Sequence, residues 1–216
     1  MRTLLVWILL VTTPARAALT RFDLRDAGQR NIVQFVSDAW IEKTIGITSA
    51  VSGWIEVDPE ALASGLKGEV EVDVRTFRTA NEAKNDGLRE KLLRSGESPY
   101  ARFVLAKLAS ASGDRLTETQ PVVVRVEGTM NLHGVSQPIV VLLKVQYFTE
   151  SPQTLLRLPG NLLRLSADFD VDLAKFEITF PEALRPRVAR FIQISADCVG
   201  TDRPPVVFVP RPSEGR

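Results

Sequence analysis

Few residues in this chain carry groups that make or break bonds, and their spacing limits what they could do. His133 is the only histidine, in the run Met130-Asn131-Leu132-His133-Gly134-Val135. A lone imidazole could act as the general base of a Ser-His-Asp or Cys-His set, which needs a nucleophile and a carboxylate brought from elsewhere. The sequence contains no Gly-x-Ser-x-Gly elbow. His133-Gly134 therefore reads first as a turn at the head of a hairpin, and a hydrolase-like enzyme using His133 is the alternative. Cys198 is the only cysteine, which excludes an intramolecular disulfide. One Cys and one His cannot assemble a structural zinc site. Cys198 keeps phase with Ile192, Ile194 and Ala196, which predicts a buried, inert thiol.

Two acidic rows could be read as acid–base pairs or cation sites: Glu69, Glu71 and Asp73, and Asp168, Asp170 and Asp172. The second row lacks the glycine-containing pattern of a calcium loop. Acids that alternate with apolar residues are expected to form a solvated strand face, met by Arg or Lys on the neighbouring strand. No phosphate-cradling glycine loop precedes a helix, and no basic stripe interleaves with aromatics. Neither a metal nor a cofactor is expected, and no catalytic set is found.

The elements that must position these residues are mostly strands. Val70, Val72 and Val74 alternate with the first acidic row in Leu66–Arg75. Val124, Val126, Met130 and Leu132 share a face in Val122–Leu132, as do Leu163, Leu165, Phe169, Val171 and Leu173 in Leu162–Leu173. Further strands are predicted at Phe22–Leu24, Asn31–Ile41, Ile47–Val57, Arg102–Leu108, Ile139–Phe148 and Ile192–Asp197. Ala80–Arg94 breaks the alternation: Leu88, Leu92 and Leu93 recur at helical spacing, with Asn81 or Asn85-Asp86 at the start and Gly96 and Pro99 beyond the end. Many one-sided strands at hairpin spacing predict an all-β antiparallel sandwich or barrel.

Bulk composition fits that class. Against 27 Lys+Arg stand 26 Asp+Glu, so the chain has no global field to draw nucleic acid, and none is expected as partner. With 44% hydrophobic residues in 216, one domain with a sizeable core is expected. Residues 1–17 read as a signal peptide: Arg2, an apolar run from Leu4 to Val11, and the small-x-small Ala15-Arg16-Ala17. Cleavage after about Ala17 implies a periplasmic, soluble protein. The barrel domain is expected over 18–202, followed by a proline-rich tail at 203–216.

One stretch carries a resemblance. Val126-Glu127-Gly128-Thr129-Met130-Asn131-Leu132-His133-Gly134-Val135-Ser136-Gln137-Pro138-Ile139 is similar to the strand–turn–strand signature of the YceI-like, polyisoprenoid-binding family. Thr79 to Arg89, Pro99-Tyr100-Ala101-Arg102-Phe103, and Asp23 with Ile32-Val33-Gln34-Phe35 resemble further family segments. The resemblance runs from about Phe22 to Val199. Arg30-Asn31 stands where the family has His-Ser, Gly87 replaces a His, and Leu92-Leu93 replaces Phe-Phe. Lys175-Phe176-Glu177-Ile178 stands where the family has Asp-Phe-Gly-Ile. These departures bear on any polar contact made to a ligand head group.

The resemblance implies a lipocalin-like, eight-stranded antiparallel barrel with a short helix between strands. It further implies an exported, non-enzymatic lipid-binding protein, often dimeric, whose apolar cavity holds a polyisoprenoid or similar long-chain lipid. A homodimer and transient membrane contact are therefore expected possibilities. The inward positions proposed to line the cavity are Phe35, Val70, Val72, Val74, Phe103, Val124, Val126, Met130, Leu132, Phe169 and Val171. Trp54, with Trp40, is placed at the rim, and Leu88 and Leu92 on the helix cover one end. The competing expectation is a barrel filled by its own side chains, serving as a structural or partner-binding module.

Overall fold

A computed structural model describes residues 19–203, so the predicted leader at 1–17 and the tail from 204 onward lie outside the described residues. Eleven strands run in chain order: β1 (Thr20–Asp23), β2 (Ile32–Asp38), β3 (Lys43–Thr48), β4 (Val51–Val57), β5 (Leu66–Asp73), β6 (Arg78–Thr79), β7 (Tyr100–Ala111), β8 (Val122–Leu132), β9 (Val135–Phe148), β10 (Leu162–Asp172) and β11 (Phe191–Thr201). A short helix, α1 (Glu82–Asp86), lies between β6 and β7.

Eight strands form a ring in the order β1, β4, β5, β7, β8, β9, β10, β11, and it closes where Asp23 of β1 meets Thr201 of β11. Every pairing is antiparallel. Closure removes the exposed edges an open sheet would present. The fold is the expected lipocalin-like, eight-stranded antiparallel barrel with one short helix. β2 runs beside the other half of β11, from Val36 against Gln193 to Ile32 against Asp197, and carries β3 and β6 outward from it.

Two predicted strands, Asn31–Ile41 and Ile47–Val57, resolve into three, because the second breaks at Ser49-Ala50 into β3 and β4. The first also ends early, at a turn over Ala39–Glu42 where the Ala39 N–H donates to the Glu42 carbonyl at 3.0 Å. This turn holds no Gly, Pro or Asn and carries the apolar pair Trp40-Ile41, so none of the usual punctuation marks it. The predicted helix is also shorter and less regular. Asn81 caps α1 by accepting from the Ala83 N–H at 3.1 Å, and after Asp86 the coil widens into a π-helical turn over Gly87–Leu92.

His133-Gly134 is the β8–β9 turn. Its backbone has φ of 58° at His133 and 79° at Gly134, the two-residue type I′ geometry that matches strand twist and favours glycine at the second position. The alternating connections define two ends. Turns at 39–42, 74–99, 133–134 and 173–190 crowd one end, while 58–65, 112–121 and 149–161 crowd the other.

Candidate functional site

The two halves of the barrel are packed differently. Toward the end carrying 58–65, the interior is solid: Phe22, Ile55, Val57, Leu66, Val124, Val126, Val145 and Leu163 are each at most 3% exposed, and Leu24 and Leu62 plug the base. Toward the other end, the inward positions surround a cavity of about 740 Å³. That volume falls in the range of small-molecule sites, roughly 300–1,000 Å³.

Side-chain size accounts for the difference. In the open half, Ala167 pairs across the ladder with Ala196, and Ala101 faces the same space, so the walls recede. Phe35 lies flat over Gly46, its cross-strand partner; a Cβ on Gly46 would sit 2.1 Å from the ring. Phe35 then meets Phe77 edge-to-face, with centroids 5.2 Å apart. Phe103, Met130, Leu132, Leu143, Phe169, Val171, Ile192 and Ile194 complete an aliphatic and aromatic wall. The end is covered by Gly87 and Leu88 of the π turn, by Leu93 just after it, and by Thr179, Phe180, Pro181, Leu184 and Val188 of the β10–β11 connection.

Polar groups stand at the mouth or are already satisfied. The Ser37 hydroxyl accepts from the Ala189 N–H at 2.9 Å, and the Thr79 hydroxyl is held by Asn81 and Asn85. Glu42 receives both Lys84 and Arg187, the latter at 2.7 Å, drawing together the β2–β3 turn, α1 and the β10–β11 connection. Arg102 reaches outward to Glu69 at 3.1 Å and Glu71 at 2.6 Å. The chamber thus offers burial to an apolar chain, with charge confined to its rim.

Of the residues proposed from sequence, Phe35, Val70, Val72, Val74, Leu88, Phe103, Met130, Leu132, Phe169 and Val171 line this space. Val124 and Val126 do not. They face inward but lie in the first half of β8, at the solid end. Trp54 does not line it either: it shares the outer face of β4 with Ser52 and Glu56, and the Arg21 guanidinium sits 4.2 Å above its ring. Trp40 stands free at the tip of the β2–β3 turn, 88% exposed. The side chain of Leu92 lies outside what is described.

Sequence reasoning passed over Ala101, Ala167 and the β11 residues Ile192, Ile194 and Ala196 as lining. Their alternation was visible, but their small size was the useful signal. The β10–β11 connection carries no periodicity that could have flagged Phe180 or Leu184.

The remaining chemistry-bearing residues lie elsewhere. His133 Nδ1–H donates to the Phe176 carbonyl at 3.2 Å, tying the hairpin to the start of the β10–β11 connection, and the ring does not line the cavity. The acidic rows are outward: Glu69 and Glu71 meet Arg102, Asp73 meets Arg75, Asp172 meets Arg190, and Asp168 accepts from the Ser195 hydroxyl. Among the described residues no group of three acids, His or Cys is placed to hold a metal. Asn31, where the family has a polar pair, is 1% exposed and bonded to the backbone of Leu24 and Val199 and to Arg157. It is a structural joint rather than part of the chamber.

A closed antiparallel barrel, solid at one end and hollow and apolar at the other, is a lipocalin-like architecture. The chain belongs to the YceI-like domain family, whose model matches residues 26–199. Among solved structures it is similar to Burkholderia cenocepacia BcnA, at 20% identity and a TM-score of 0.62, covering 80% of this chain and 97% of that one. It is also similar to a polyisoprenoid binding domain from Saccharophagus degradans implicated in plant cell wall breakdown, at 17% identity and a TM-score of 0.58, covering 85% and 98%. At these identities the likeness shows the fold. No curated protein matches the chain.

Proposed function

We propose that this protein is an exported, non-enzymatic carrier that holds a polyisoprenoid or similar long-chain lipid in the hollow half of its barrel. The observation that carries the reading is the 740 Å³ chamber with an apolar wall and charge only at its mouth. Export rests on the leader-like residues 1–17. The isoprenoid class is carried from the Saccharophagus domain and from the family resemblance.

The energetics are adequate. Burying ten methylene groups yields roughly 8 kcal/mol gross at ~0.8 kcal/mol each, and association costs at least about 4 kcal/mol. A short chain would therefore bind weakly. At roughly 30 Å³ for a water-sized group, the chamber admits on the order of twenty such groups. A chain of that length could reach micromolar affinity, about −8 kcal/mol, without a charged anchor.

The test is titration with a fluorescent polyene fatty acid, displaced by polyprenols of increasing length. Saturable uptake is expected, with displacement improving as the chain lengthens to about twenty carbons and levelling off beyond. Ala167→Phe, which fills the recess between β10 and β11, is expected to weaken uptake at least tenfold while preserving the far-UV spectrum of the barrel. No uptake by the folded protein, or uptake indifferent to Ala167→Phe, would contradict the reading.

A further inference from the structure

Two segments meet over the end of the chamber that carries its charged lining residues, the Ala39–Glu42 turn and the 181–188 stretch of the β10–β11 connection. Glu42 and Leu184 both line the chamber, and the Ile41 N–H donates to the Pro186 carbonyl at 3.0 Å, which holds the segments side by side. Their outward side chains are apolar: Trp40 is 88% exposed, Ile41 62% and Leu184 38%. On the outer face of β3, leading up to the same turn, Ile45 and Ile47 are nearly half exposed.

We propose that this tip is a bilayer-docking surface through which a lipid passes directly between a membrane and the chamber. The inference rests on the lipid-carrier reading above. Scattered exposed apolar residues are ordinary, but these cluster over the covered end of an apolar cavity. Trp40 has the amphipathic ring that settles at the headgroup level. The ionic groups around it are paired with one another, leaving the apolar strip as the feature that meets a partner. Asp38 pairs with Lys43 and Glu182 with Arg185, while the single carboxylate of Glu42 is shared by Lys84 and Arg187. A lipid moving through this end, where the two segments would part, would pass between bilayer and apolar wall with little of its chain crossing water. A protein partner or a second copy on the same strip is the competing occupant, and the test separates it.

The protein recovered from the exported fraction, carrying Trp7→Phe and Trp54→Phe, reports through Trp40 alone. Mixed with vesicles of phosphatidylethanolamine and phosphatidylglycerol, its emission is expected to shift to the blue and to be quenched by lipids labelled within the acyl chain. Trp40→Ser with Ile41→Ser is expected to weaken vesicle binding at least about tenfold, while uptake of the polyene probe from solution stays unchanged. Emission indifferent to vesicles overturns the proposal. So does a blue shift that follows protein concentration alone with a rise in molecular mass, which assigns the strip to a second copy. If Trp40 enters the bilayer but the probe is never taken up, docking stands and the carrier reading fails.

Discussion

Asp26 anchors the joint between β1 and β2 with a side chain only 1% exposed. Its carboxylate takes Arg30 at 2.9 Å and Arg157 at 2.7 Å, and the N–H groups of Gly28 and Arg30. The Arg30 guanidinium and these backbone donors hold its pKa down to about 2, against the opposing effect of burial. Burial draws Arg157 down as well, so the two charges depend on each other. The sign follows from the depressed value: the unfolded carboxylate binds a proton first, so stability is full above about pH 4 and is lost as pH falls through about 2. That contribution is about 2 kcal/mol. Asp26→Asn is expected to cost a similar amount near neutrality and to flatten the acid limb of a denaturation series. An unchanged limb would remove Asp26 from the account. Cys198, by contrast, is inert because burial pushes its thiol up to about 12. It should resist a disulfide reagent in the native protein and react at once in denaturant.

At the scale of elements, the β8–β9 hairpin shows what the sequence could and could not reveal. The run around His133-Gly134 was legible as a turn because a type I′ geometry needs positive φ at both residues. Gly134→Val is accordingly expected to cost about 1–2 kcal/mol in thermal unfolding. His133→Asn keeps a residue tolerant of positive φ and is expected to leave probe uptake within about twofold. The inward phase of β5, β8 and β10 was equally legible, because one-sided burial fixes it, whereas Trp54 puts an apolar ring on the outer face of β4 and misled the reading there. Height along the barrel was not. Val124 and Val126 carry the same alternation as Met130 and Leu132, yet they fill the solid end, since periodicity reports a face and says nothing of level. The turn at Ala39–Glu42 was hidden for another reason: its Trp40-Ile41 pair continues an apolar pattern where a turn is normally polar. Asn81 was visible as a cap, and Asn81→Ala is expected to loosen the segment from 82 to 92, costing about 1 kcal/mol. Amide exchange there should quicken while the strands stay protected.

For the whole molecule, the decisive property is that the barrel is filled at one end and hollow at the other. A composition poor in special residues could not distinguish a packed barrel from a vessel; cross-strand alanines and a ring laid over a glycine did. The central claim is that the hollow end holds a long-chain lipid. Native mass spectrometry of the protein taken from its own host, with organic extraction of the same sample, tests it most directly. The account predicts a discrete added mass, released into the organic phase as a long-chain lipid and largely missing from Ala167→Phe. A folded protein of bare polypeptide mass, with nothing in the extract, would contradict it.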